Sequence, residues 1–222
     1  MSDMESVNIS NEKTICIIGT GGFAREVFCY VIDVLKTKYQ DIDYSKICFL
    51  DKDELCNGEK IMGVNVIPES SFDPEKYVVL VGIGDPKIRK KVVEKMPKNT
   101  VYATLIHPNA IVSDWVEIGE GSIITPGVII TCNIKMGNQT QLNLFTTIGH
   151  DCELGDYFTT APSVNISGNC IFDECVYFGT NSAVRQGVSI CNNVTIGMGG
   201  VVVKNINEPG VYIGNPLKKL EK

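Results

Sequence analysis

From Ile106 to Val202 the chain repeats every six residues without an insertion. Taking every sixth position gives Ile106, Val112, Ile118, Ile124, Ile130, Met136, Leu142, Ile148, Leu154, Thr160, Ile166, Phe172, Phe178, Val184, Ile190, Ile196 and Val202, and sixteen of these seventeen are apolar. With 44% of the chain apolar and any of six phases allowed, chance gives such a register on the order of once in 10⁴. Four residues after each comes a second series of small or β-branched residues: Ala110, Val116, Ser122, Val128, Ile134, Thr140, Thr146 and Cys152. Glycine often follows the first position directly, as in Ile118-Gly119, Ile148-Gly149 and Ile196-Gly197. The period fits neither a helix nor an ordinary strand. It is the mark of a β-solenoid, with one hexad on each side of a triangular prism and three hexads to a coil. The segment holds between five and six coils and, at roughly 4.8 Å per coil, stands about 27 Å tall.

Before residue 104 the pattern is different. Thr14 to Ile18 is a β-rich run, followed by Gly19-Thr20-Gly21-Gly22 and then by helical spacing of Phe23, Val27, Tyr30, Val31 and Val34. Ile47 to Leu50 and Tyr77 to Val81 are further strands, and Pro86 to Met96 has the pattern of a basic amphipathic helix. Strand–helix–strand order over this length implies a small parallel α/β sheet of Rossmann-like type with right-handed crossovers. Two domains are expected, 14–103 and 104–222. GTGGFA resembles a dinucleotide fingerprint, but an NAD oxidoreductase needs a larger sheet, usually of six strands.

Composition narrows the partners. A net charge of −6 argues against broad electrostatic binding of nucleic acid. No apolar run approaches the ~18 residues of a membrane span, and the acidic MSDMESVNISNEK start has no apolar core of a signal peptide. Nine cysteines show no CxxC spacing, so reduced thiols in a cytoplasmic protein are expected. Only His107 and His150 are present. They are too few for the three-histidine zinc site of prism-shaped carbonic anhydrases, and no metal is expected.

GTGGFAREV, a hexad prism carrying GHDCELGD, and a GNPLKKL tail together resemble the nucleotide-sugar N-acetyltransferases of surface-glycan pathways. These are left-handed parallel β-helix proteins, related to sialic acid O-acetyltransferases. The resemblance covers nearly the whole chain after residue 13. It implies a homotrimer, acetyl-CoA as co-substrate, and a nucleotide-linked 4-amino-4,6-dideoxy sugar as acceptor. Sugar O-acetylation and non-catalytic sugar-nucleotide binding are the alternatives.

The family's catalytic histidine falls on His150, and an imidazole with a pKa near 6.5 suits a base acting near neutral pH. Asp151 is placed to orient the ring, and Gly168, by family position, to offer an oxyanion its backbone N–H. His107, in LIHPNA, is expected to cap the first coil. The resemblance sets the sugar nucleotide against Gly19, Thr20, Gly21, Gly22 and Phe23, with Asp51, Asp53 and Gly82 nearby and Asn143 touching the sugar. It sets acetyl-CoA against Thr159, Gly168, Thr180, Gly197, Met198 and Lys218. Phe23 stands where some relatives carry histidine, as does Thr159. In the tail Leu217 replaces the alanine of the family's GxPAK. Cys152, in the inward series, is expected in the core and not as a nucleophile.

Overall fold

The computed structural model describes residues 13–221. The leaderless N-terminus expected above lies, up to residue 12, outside the described residues. In chain order the first half comprises β1 (Thr14–Ile18), α1 (Gly22–Lys38), β2 (Ile47–Asp51), β3 (Val66–Pro68), β4 (Tyr77–Val81), α2 (Pro86–Lys95) and β5 (Val101–Tyr102). The strands form one parallel sheet in the order β3-β2-β1-β4-β5.

Alternation along each strand decides which helix it meets. Ile15, Ile17, Ile47, Phe49, Val78 and Leu80 pack with Val27, Val31 and Val34 of α1. Cys16, Ile18, Cys48, Leu50, Val79 and Val81 pack on the other side against Val92 and Val93 of α2. The chain winds outward from β1 in one direction and from β4 in the other. A crevice therefore opens beyond the carboxyl ends of β1 and β4, between Gly19–Gly22 and Gly82–Asp85, as switch points of parallel sheets require.

The second half is a three-faced prism. Its first face stacks Leu105–Ile106, Ile123–Ile124, Gln141–Leu142, Thr159–Thr160, Tyr177–Phe178 and Val194–Ile196, and is extended by the tail strands Gly210–Ile213 and Lys218–Lys219. The second face runs from Ile111–Val112 to Val201–Val202 in six strands, and the third from Val116–Ile118 to Ser189–Ile190 in five. Each residue pairs with the one a coil later, as Gln141 does with Thr159. The first hexad series points inward and is buried from Ile124 to Val202. Phe158, Phe172 and Phe178 fill the axis with ring centroids 5.2 to 5.6 Å apart. Cys152 is fully buried in this core.

The corners show the price of a six-residue side. At fourteen positions six apart, from Gly121 to Gly199, the backbone is left-handed, and only four of these residues are glycine. Side chains including Asn133, Phe145, Asp151 and Tyr157 carry φ of 55 to 60°.

The α/β domain sits on the first face of the prism. Leu105 and Ile123 join the core beneath α1. His107 is buried there: its Nδ1 accepts the Asn109 N–H at 3.0 Å, and its Nε2 lies 3.3 Å from Asp33 on α1. A capping and docking role accounts for both side-chain hydrogen-bonding contacts of this histidine.

Candidate active site

His150 lies on the edge between the second and third faces, directly before a left-handed corner. Its Nδ1 is 2.7 Å from Oδ2 of Asp151. Because a carboxylate accepts, Nδ1 carries the proton, and Nε2 is left with a free lone pair. Asn133, one coil earlier, donates from Nδ2 to the other oxygen of Asp151 at 2.5 Å. These two hydrogen bonds, the one from Asn133 foremost, hold the Asp151 carboxyl below its ordinary pKa, so it stays ionised. The imidazole lies over Gly168. A Cβ at that glycine would meet Cε1 at 2.6 Å and Nε2 at 2.7 Å. The Gly168 N–H makes no hydrogen bond among the described residues, which leaves a backbone donor beside the imidazole.

A cleft of about 590 Å³ opens where the α/β domain meets the first face, lined in part by Phe23, Asp85, Lys87, Asn143, Thr159 and Thr180. Phe23 belongs to the first turn of α1, whose N-cap is Gly21. Thr20 Oγ1 donates to Asp51 Oδ2, which ties the glycine-rich turn to the end of β2. Gly82 N–H donates to Ile18 O at 2.9 Å, bringing the ends of β1 and β4 together. Asn143 accepts the Leu144 N–H through Oδ1 at 2.8 Å.

Of the residues expected at the sugar nucleotide, Phe23 and Asn143 line the cleft. The glycine-rich turn with Asp51 and Gly82 borders the crevice at the strand ends, and Asp53 lies on the loop after β2. Asp53 accepts the Ser70 N–H at 3.0 Å, which lowers its pKa and makes it a loop tie as well as an exposed acid. Residues expected at acetyl-CoA do not converge within the chain. Thr180, Gly197 and Met198 follow the edge between the first and second faces, Gly168 shares the His150 edge, and Lys218 is exposed in the tail. Thr159 reaches the cleft, but its hydroxyl donates to Tyr157 O and accepts from Arg89. Its hydroxyl proton is therefore already committed.

Sequence inspection missed Asn133 and Arg89. Asn133 lies 18 residues before Asp151, which is one coil, and that spacing was the available signal. No helix among the described residues is long and apolar enough to cross a membrane.

Residues 14–96 match the PglD N-terminal domain family. Over 176 residues, 78% of this chain and 78% of the relative, the protein is 31% identical to GDP-perosamine N-acetyltransferase of Escherichia coli O157:H7. The chain belongs to the nucleotide-sugar N-acetyltransferase family. Solved members of that family overlay on almost all of it. PerB from Caulobacter crescentus, in complex with CoA and GDP-perosamine, is 27% identical with a TM-score of 0.82, covering 97% of this chain and 100% of that one. The acetyltransferase domain of PglB from Neisseria gonorrhoeae FA1090, in complex with acetyl coenzyme A, is 27% identical with a TM-score of 0.82, covering 94% and 100%. The prism is the family's left-handed parallel β-helix.

Proposed function

We propose that the protein transfers the acetyl group of acetyl-CoA to the 4-amino group of a nucleotide-linked 4-amino-4,6-dideoxy sugar, as a cytoplasmic homotrimer. The observation that carries this is His150 held by Asp151 with Nε2 free beside the Gly168 N–H. The amine nitrogen attacks the thioester carbonyl while Nε2 takes the amine proton. The resulting oxyanion accepts the Gly168 N–H, and collapse expels the CoA thiolate, which recovers the proton from the imidazolium. No acyl-enzyme forms, in keeping with the burial of Cys152.

The α/β domain supplies the nucleotide site through the crevice and Asp51. Two features support the trimer. His150 and the cleft occupy different edges of one prism, and a second copy would bring them together. The side between those edges also exposes Ile111, Phe145 and Trp115 by 64%, 65% and 78%, and such apolar surface marks an interface. Closed cyclic symmetry buries it without open-ended association.

Incubation with acetyl-CoA and UDP-, GDP- and dTDP-linked 4-amino sugars, followed by release of free thiol, tests the activity. His150→Ala is expected to lower kcat by roughly 10²-fold or more with modest change in either KM. Wild-type turnover by this variant across pH 6 to 9 overturns the mechanism. Thiol release only with hydroxyl acceptors overturns N-acetylation.

A further inference from the structure

Arg89 is the largest fully buried side chain of the described residues. It projects from α2 into the seam between the α/β domain and the prism, where all its N–H groups find oxygen. Nε donates to Gln139 O at 3.1 Å. Nη1 donates to Ile83 O at 2.7 Å, Gly84 O at 3.2 Å and Gln141 Oε1 at 2.8 Å. Nη2 donates to Tyr157 O at 3.1 Å and Thr159 Oγ1 at 2.6 Å. Every one of these acceptors is neutral. No carboxylate among the described residues forms an ion pair with the guanidinium. Asp85, one turn earlier, accepts the Lys87 and Ile88 N–H groups through Oδ1 at the start of α2, and it favours the charged guanidinium from a distance without pairing with it. Burial pushes the Arg89 pKa down to about 9, which still leaves it charged at neutral pH.

A buried cation needs a compensating charge, and hydrogen bonds to neutral dipoles supply only part of it. Three of the groups Arg89 touches, Gly84, Gln141 and Thr159, line the cleft. Gln141 is locked from both ends, because its Nε2 also donates to Val81 O at 2.7 Å. These wall residues therefore pass on the field of the guanidinium and have few hydrogens of their own left to offer a ligand. Lys87 in the lining adds a second positive charge, so that with Arg89 two positive charges stand against the single negative charge of Asp85.

We propose that Arg89 is a specificity-determining residue of the cleft, whose unpaired charge behind the wall selects ligands carrying a diphosphate over their uncharged nucleosides. The proposal rests on the reading of the cleft as a nucleotide-sugar site. A purely structural tie between the domains would hold the cleft open but would not distinguish a nucleoside from its diphosphate.

Calorimetric titration of the full-length protein with UDP, GDP and dTDP, each beside its nucleoside, measures that distinction. The wild type is expected to prefer one diphosphate over its nucleoside by at least 100-fold. Gln141→Glu places a carboxylate against Nη1 and neutralises Arg89 without removing it. This variant should lower the preference at least 10-fold while nucleoside affinity holds. Arg89→Met should do the same, and Arg89→Lys should restore much of the preference. If Arg89→Met fails to fold, Gln141→Glu alone decides. In turnover, Gln141→Glu should raise KM for the sugar nucleotide and leave KM for acetyl-CoA unchanged. An intact preference in Gln141→Glu overturns the inference and leaves the functional reading standing. A wild-type protein that binds none of the diphosphates overturns both.

Discussion

Gly168 has no side chain because the His150 imidazole stands where one would go. The clash that a methyl group would make is with the far end of an exposed side chain, so the ring can swing away at little cost in stability. Swinging it away removes Nε2 from beside the Gly168 N–H. Gly168→Ala is therefore expected to lower kcat at least 10-fold while unfolding free energy changes by less than about 1 kcal/mol. Steady-state kinetics beside thermal melting checks this, and a kcat within twofold of wild type contradicts the geometry. His150 and Asp151 were legible in sequence because they are adjacent and because imidazole has few competitors as a neutral base. Asn133 was not, since only the stacking of coils sets it against Asp151. Arg89 was hidden for the opposite reason. Amid Lys87, Lys90 and Lys91 it reads as one more solvated charge on a basic helix, and only the docking of α2 on the prism shows that it is buried.

Among the elements, the closest approach in the crevice is between the end of β4 and the first turn of α1. A Cβ on Gly82 would meet the Cα and Cβ of Ala24 at 2.6 Å and Ile18 O at 3.2 Å. Two of these are backbone atoms that cannot rotate away, so α1 must shift off the sheet. Gly82→Ala is expected to destabilise the fold by about 1–3 kcal/mol and to raise KM for the sugar nucleotide more than KM for acetyl-CoA. Denaturant unfolding and a KM comparison check it, and unchanged values of both would mean that the crevice tolerates the shift. The strands and helices themselves were readable to within a few residues. Tyr77–Val81 is found at its expected bounds, and the helical spacing read from Phe23 to Val34 extends over Gly22–Lys38. The prism was readable because a strict period survives any single substitution. Its left-handed corners were not, because tertiary stacking imposes that conformation on Phe145, Tyr157 and Cys175, which do not favour it on their own. The short strands β3 and β5 were missed, having three and two residues and no room for a period.

For the whole molecule, the separation of His150 from the cleft makes each reaction site of the proposed trimer a property of two copies. The two defects can then be placed on different chains. His150→Ala removes the base and leaves the cleft intact. Ala161→Trp, at a lining position of the cleft, fills the cleft and leaves the base intact. Trimers of either variant alone should be inactive. In trimers assembled at random from equal amounts of both, a site works when an intact His150 faces an intact cleft on the next copy. With one direction around the ring, each site meets that condition in about one case in four across the whole mixture, and in trimers that contain both chains one site of the three always does, so about a third of wild-type activity should return in the mixed trimers. Co-expression with two affinity tags, followed by kinetics on the doubly purified species, measures it, and light scattering should give a mass near three times 24.3 kDa. If base and cleft of the same chain formed the site, every site in the mixture would carry one defect and no activity would return. An active monomer would sink the shared site as well.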